Sequence, residues 1–326
     1  MSLLAEKSAN VASAEEMFAE ERAEILAGLK SAQKRISPKY FYDQRGSELF
    51  DEICMLPEYY PTRTELGIME RHLPEIAELV GPQAAVIEFG AGSSAKARRL
   101  LAELQDPVAY VPVEISGHYL IEQADELARD FPQLSIVPVV ADFTKPFDLP
   151  PHPTTPQRNL VFFPGSTIGN FTRHEARNLL EIMRQEAKPG GALLMGVDLV
   201  KDVQIIEAAY NDAQGVTAEF NRNVLLHLNA ALGADFEPQR FRHEAIYDER
   251  NERIEMRLVS VLAQTVQIDG EAIHFAAGEH IVTEYSHKYS IERFWTLARQ
   301  AGLEPEGVWT DAAGLFSVHY LTAPLS

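Results

Sequence analysis

Three carboxylic acids close three successive apolar runs: Glu88 near the end of AAVIEF, Glu114 at the end of VAYVPVE, and Asp142 after LSIVPVVA. The first run passes straight into Gly90-Ala91-Gly92-Ser93-Ser94. There glycine lets the backbone turn sharply and leaves no Cβ between main-chain N–H groups and a ligand. Spaced as Gly90-x-Gly92-x-x-Ala95, the turn satisfies the loose dinucleotide fingerprint with alanine in third place, so nicotinamide chemistry is one reading. Glu88 shifts the balance, because a carboxylate two residues before the first glycine meets a cation more readily than a pyrophosphate. Glu114 lies 24 residues after Gly90, near the interval at which an acid reaches ribose hydroxyls in doubly wound sheets. Asp142 and Phe143 together suit an adenine, the acid accepting its amino hydrogens and the ring covering its face. Each acid alone could simply end a strand at solvent; their joint placement is what points to a nucleoside cation.

Positioning them requires parallel strands whose carboxyl ends share one edge. Val86, Ile87 and Phe89 suit a buried parallel strand, and Ser93 or Ser94 can cap the helix that follows the turn. NLVFF supplies a fourth strand, and its turn, Pro164 to Asn170, falls where doubly wound sheets place substrates. A helix over Arg173–Lys188, stopped by Pro189-Gly190-Gly191, leads into a fifth strand, ALLMGVDLV. Upstream, helical periodicity covers Ser13–Lys30 and Thr64–Leu79. Between them a short helical piece over Leu49–Leu56 is flanked by Tyr40, Phe41, Tyr42, Tyr59 and Tyr60, either an aromatic cover or a lid whose phenols line a pocket. HPTTPQ around Pro153 reads as a loop.

From Lys201 the rhythm changes. Helices are expected near Gln204–Asp212 and Thr217–Leu232. Then FRHEAIYD, RIEMRLVSV, TVQIDG and AIHFAAGE read as an antiparallel meander, with turns at Glu249–Glu252 and Asp269-Gly270. A helix over Ser290–Ala301 and a closing hairpin ending in LFSVHYLTA return to the sheet. The expected architecture is α/β: a doubly wound, Rossmann-like sheet over 61–199 and 287–326, with a second α+β domain from 1–60 and 200–286 over its ligand edge. No internal repeat is evident.

With 48 acidic against 29 basic residues and a net charge of −19, binding to a phosphate backbone is disfavoured and small-molecule chemistry favoured. The single cysteine, Cys54, excludes an intrachain disulfide and fits a reducing compartment. The ten histidines are scattered without ligand spacing, so no metal site is expected. No apolar run reaches the roughly 18 residues of a membrane span, and no signal peptide is recognisable. A cytoplasmic monomer is the expectation.

Three acids at successive strand ends resemble a class I methyltransferase, whose cofactor, S-adenosylmethionine, carries an ammonium and a sulfonium and no phosphate. Longer stretches, YFYDQRGSELFDEICMLPEYYPTRTE, FPGSTIGNF, DLVKD, AAYNDAQGVTAEFN, RIEMRLVS and TEYSHKY, resemble the histidine N-alpha-methyltransferase family of ergothioneine biosynthesis over nearly the whole chain. Two departures from that pattern stand out: EFGAGSSAKAR replaces the more usual ELGSG-x-S-x-KTR, and Glu114 stands where Asp is expected. The resemblance implies trimethylation of L-histidine. It places Glu88, Gly90, Gly92, Lys96, Glu114, Asp142, Phe143 and Tyr42 around the cofactor. Asn170 and Tyr210 would hold the substrate carboxylate, Tyr60 and Gly165 would lie near the amino group and ring, and Met256, Glu284 and Ser286 would surround the imidazole. Tyr42 or Tyr60 is the candidate contact for the reacting amine. Lys96 would neutralise the cofactor carboxylate or be a solvated helix residue. Glu284 and Ser286, two apart on one strand, face the same side and could read both imidazole nitrogens, where an indole would satisfy one. A same-fold enzyme acting on another amino acid, such as a tryptophan derivative, is the alternative, and a non-catalytic binding protein a further one.

Overall fold

The computed structural model describes residues 19–92, 94–115, 117–151 and 154–325, without the side chains of His118 and Tyr119. Helix α1 covers 19–30. There follow α2 (Gln44–Cys54), α3 (Tyr60–Val80), β1 (Ala84–Phe89), α4 (Ala95–Glu103), β2 (Ala109–Glu114), α5 (Gly117–Asp130), β3 (Ser135–Ile136), β4 (Val139–Val140), β5 (Arg158–Phe163), α6 (Arg173–Ala187) and β6 (Ala192–Asp198). The rest comprises α7 (Val203–Tyr210), α8 (Val216–Leu232), β7 (Phe241–Asp248), β8 (Arg253–Ser260), β9 (Gln264–Ile268), β10 (Glu271–Phe275), β11 (His280–His287), α9 (Ile291–Gln300), β12 (Glu304–Thr310) and β13 (Phe316–Thr322).

Eight strands form the central sheet in the order β12-β13-β6-β5-β1-β2-β3, with β4 also pairing β2. The pairings from β6 through β5, β1 and β2 to β3 and β4 are parallel, whereas β13 runs antiparallel to β6 and β12 to β13. This is the doubly wound, Rossmann-like sheet with a closing hairpin that the sequence implies. Alternation along each strand sorts its side chains. Ile87, Phe89, Val161, Phe163 and Met195 pack with Leu180 and Met183 of α6 and Phe294 of α9. Val86, Tyr110, Leu160, Phe162 and Leu194 pack with Met69 and Leu73 of α3 and Leu100 of α4. Both faces are therefore apolar, which is why these strands read as continuous hydrophobic runs.

Three local expectations change. LSIVPVVADF is two short strands on either side of Pro138, whose nitrogen faces away from β2, while Val137 and Ala141 donate to the carbonyls of Tyr110 and Glu114. Helix α3 starts at Tyr60, with Pro61 in its first turn, so Tyr60 belongs to a helix and not to a loop. The meander resolves into two sheets, β11-β8-β7 and the hairpin β9-β10. The hairpin turn has φ of 48° at Asp269 and 78° at Gly270, the primed-turn geometry that Asp-Gly favours.

The chain divides into two compact units. The sheet unit is Asp51–Ala209, Tyr247–Ile254 and Tyr285–Ser326; the other is Met1–Phe50, Tyr210–Ile246 and Glu255–Glu284. In the latter, Phe41 stacks on Phe220 at 4.5 Å, and Phe236, Phe241 and Phe275 form a second aromatic cluster. The start of the expected Ser13–Lys30 helix, Ser93, and Pro153 of the expected loop lie outside the described residues.

Candidate active site

Because β1, β2 and β4 are neighbours and parallel, Glu88, Glu114 and Asp142 arrive at one edge of the sheet unit. Gly90, with φ of 71°, closes the turn by donating to the Val113 carbonyl at 2.9 Å. A Cβ there would lie 3.3 Å from the Phe143 ring, which itself packs against Phe89 and Phe163. Gly92 has open space around it. Ala91 is buried, so the departure from serine at this position puts a small apolar group where no polar partner is needed. Ser94 does not cap α4; its hydroxyl accepts from Arg98 instead.

Glu88 is 2% exposed and takes the Tyr110 hydroxyl proton as a hydrogen bond. Burial pushes its carboxyl up to about 7, against the opposing pull of Tyr110 and the Lys96 charge. A second cation alongside would restore the charged form, and this fits the ammonium-bearing cofactor. Glu114 accepts from the Ile115 N–H at 2.8 Å, and Asp142 from the N–H and hydroxyl of Thr144.

Lys96 is not a solvated helix residue. Its ammonium lies 2.5 Å from Glu65, which is 1% exposed and also accepts from the Gly165 N–H at 2.9 and 3.0 Å. A Cβ on Gly196 would come 2.0 Å from the Glu65 carboxylate, so glycine is required where this acid crosses β6. Gly165, with φ of 81°, and Ser166, with φ of 57°, turn the chain after β5. The carbonyl of Gly169 then accepts from His287 Nδ1 at 2.8 Å, just before Asn170.

Tyr60 and Ser286 also join a cluster whose other members, Asp198, Lys201 and Lys288, are not among the expected site residues. Asp198, at the end of β6, is 1% exposed and accepts from the Tyr60 hydroxyl at 2.7 and 2.9 Å, from Lys288 at 2.7 Å and from Lys201. Lys201 also donates to the Tyr60 oxygen at 2.6 Å, and Lys288 to Ser286 at 2.8 Å. Burial alone would raise the Asp198 carboxyl, but the Lys288 and Lys201 ammoniums hold it below its ordinary value. Burial brings Lys201 down to about 8, opposed by Asp198. Tyr60 is thus a buried phenol clamped between an acid and an amine.

Of the residues expected at the site, Tyr60, Glu88, Gly90, Gly92, Lys96, Glu114, Asp142, Phe143, Gly165, Asn170 and Ser286 lie in the sheet unit. Tyr42, Tyr210, Met256 and Glu284 belong to the other unit. There Tyr42 packs edge-on to Phe50 and Phe220, and the Tyr210 carbonyl accepts from His243 at 2.9 Å. Met256 is buried, its carbonyl accepting from Thr283, and Glu284 is half-buried on β11. Glu65, Tyr110, Asp198, Lys201 and Lys288 are the additions. DLVKD, with acid and amine three residues apart, was the available signal for two of them.

A family model described as histidine-specific methyltransferase, SAM-dependent, matches residues 21–323. The chain is 41% identical over 303 residues to the histidine N-alpha-methyltransferase of Mycolicibacterium smegmatis, covering 91% of this chain and 93% of that one. It is 38% identical over 302 residues to the histidine N-alpha-methyltransferase of Mycobacterium tuberculosis, with coverage of 91% and 93%. It is 30% identical over 295 residues to ergothioneine biosynthesis protein 1 of Neurospora crassa, covering 86% of this chain and 32% of that protein.

Proposed function

Since the chain belongs to the SAM-dependent, histidine-specific methyltransferase family, we propose that it methylates the α-amino nitrogen of L-histidine three times, the opening step of ergothioneine biosynthesis. The enzyme class, the cofactor and histidine methylation follow from that membership. The observation that carries it is the meeting of Glu88, Glu114 and Asp142 beside the Gly90 turn, in the same unit as the buried Tyr60–Asp198–Lys201 cluster.

When bound, S-adenosylmethionine supplies an electrophilic methyl group. The chain's residues have to hold a neutral amine in line with it, roughly 3 Å away. Glu88 faces the cofactor ammonium, Lys96 its carboxylate, Glu114 the ribose, and Asp142 with Phe143 the adenine. Asn170 and Tyr210 take the histidine carboxylate, and Met256, Glu284 and Ser286 the imidazole. Tyr60 is the relay for the amine proton: its oxygen takes that proton as its own hydroxyl proton passes along the existing hydrogen bond to Asp198, with Lys201 holding the phenol in place. Tyr42 presents an aromatic face to the methylated cation, a contact worth about 0.5–2 kcal/mol. The working form is proposed to be a cytoplasmic monomer; among the described residues no helix is long and apolar enough to cross a membrane.

Calorimetry of Glu284→Ala with S-adenosylhomocysteine present tests the acceptor assignment. Histidine affinity should fall by more than tenfold while S-adenosylhomocysteine affinity stays unchanged. Equal losses for both would remove Glu284 from the imidazole site.

A further inference from the structure

One cleft in the sheet unit is lined, apart from His287 and Lys288, by residues given no role above. Its volume is about 420 Å³, and it lies between the start of α6, the turn before β8, the segment after β11, and α9. Arg173 and Arg177, one turn apart on α6, and Arg293, in the first turn of α9, bring three guanidiniums to it. Among its described lining residues Glu252 is the one carboxylate; it pairs with Arg293 and lies 4.0 Å from Arg173. Arg177 also lies 3.4 Å from Glu181, so with these pairs counted the guanidiniums exceed the acids by one charge, in a chain whose net charge is −19. The nearby Lys288 ammonium is turned to Asp198 and Ser286.

Tyr289 supplies a second, independent observation. It is 6% exposed, and its buried hydroxyl has no hydrogen-bond partner among the described residues. Leaving such a group unpaired costs roughly 1–3 kcal/mol, so an acceptor belongs there. Burial pushes this phenol up to about 12, opposed by Arg173, so it remains a donor across the working pH range. Arginines at i and i+4 also repel unless an anion lies between them. The α6 N-terminus is not the attractant: Thr172 and Glu175 close it as a capping box.

We propose that this cleft is a second binding site, for a small ligand bearing a phosphate group, with Arg173, Arg177 and Arg293 on its oxygens and the Tyr289 hydroxyl donating to one of them. Three guanidiniums lining one cleft match the several oxygens of a phosphate better than a single carboxylate, and guanidinium forks match those oxygens pairwise. Glu252 is then the internal competitor that the ligand displaces from Arg293.

Titration calorimetry with inorganic phosphate, at fixed ionic strength in chloride and with S-adenosylhomocysteine bound, tests this. One saturable site is expected in the millimolar range. Arg173→Gln with Arg177→Gln should abolish it, Tyr289→Phe should weaken it about tenfold, and Glu252→Gln should tighten it several-fold. Adenosine monophosphate in place of phosphate separates an organic ester from the free ion; saturation by either supports the site. Absence of saturation with both, or affinities unchanged in all three variants, overturns the proposal. Displacement of phosphate by histidine also overturns it, because the anion would then occupy the amino-acid site. The arginine variants should keep their melting temperature and their methyl transfer to histidine. Failure of histidine methylation in the unmodified enzyme would instead count against the proposed function, on which the phosphate site does not depend.

Discussion

Asp198 accepts from the ammoniums of both Lys201 and Lys288, so its loss removes a counter-charge that the two share. Breaking a buried pair from one side costs about 3–5 kcal/mol, so Asp198→Asn should lower thermal stability strongly and release Tyr60. Lys201→Met keeps the stem and removes one charge. Its melting temperature should stay near the parent value while kcat for histidine falls by roughly 10–100-fold, the size of a lost general acid–base contribution, with S-adenosylmethionine binding intact. An unchanged kcat would detach Lys201 from the proton path. Glu88 makes a pH prediction. Its folded carboxyl titrates at about 7, above the ordinary 4.5, so the folded state holds the proton more tightly. Its contribution is full below pH 4.5 and is lost as pH rises through 7, on the order of 3 kcal/mol in all. Glu88→Gln, measured by urea unfolding between pH 5 and 8, should flatten that decline; an identical slope would contradict the assignment. Glu88 was legible in the sequence because an acid beside a glycine turn is a local signal. Lys288 was not, because its partner Asp198 lies 90 positions away and nothing local marks a lysine as buried.

At the scale of elements, two glycines separate packing from propensity. A Cβ on Gly169 would meet the His287 carbonyl oxygen at 2.8 Å, and backbone cannot swing aside as a flexible side chain can. Gly169→Ala should therefore destabilise by roughly 1–3 kcal/mol and disturb the turn that carries Asn170. Gly67, exposed within α3, has nothing within 4 Å of its added Cβ. Gly67→Ala should stabilise by about 0.5–1 kcal/mol, so the two melting temperatures should move in opposite directions. The elements legible from sequence were those with one strong period. Strands β1, β2, β5 and β6 are buried on both faces, and the β9–β10 turn has the Asp-Gly its geometry needs. The start of α3 was missed although Pro61 marked it, because the neighbouring tyrosines read as an aromatic cover or lid and the helical period shows only from Thr64. The split at Pro138 was missed because its flanking valines continue the apolar pattern of a strand.

For the whole molecule, the sheet unit carries the acid edge, the glycine turn and the Tyr60 cluster, and the other unit carries Tyr42, Tyr210, Met256 and Glu284. A chain with 48 acidic residues still places two lysines at 5% side-chain exposure or less on one aspartate, so their charge serves the site and not the surface. With Glu284 and Ser286 on the two ring nitrogens as proposed, ligands that leave those groups unpaired should be rejected by roughly 10⁴-fold or more. Mass spectrometry of purified protein turning over equal concentrations of the amino acids with trideuteromethyl S-adenosylmethionine tests this most directly. Histidine should be the dominant product, carrying three labelled methyl groups on its α-nitrogen. Absence of labelled histidine, or faster labelling of tryptophan, would contradict it.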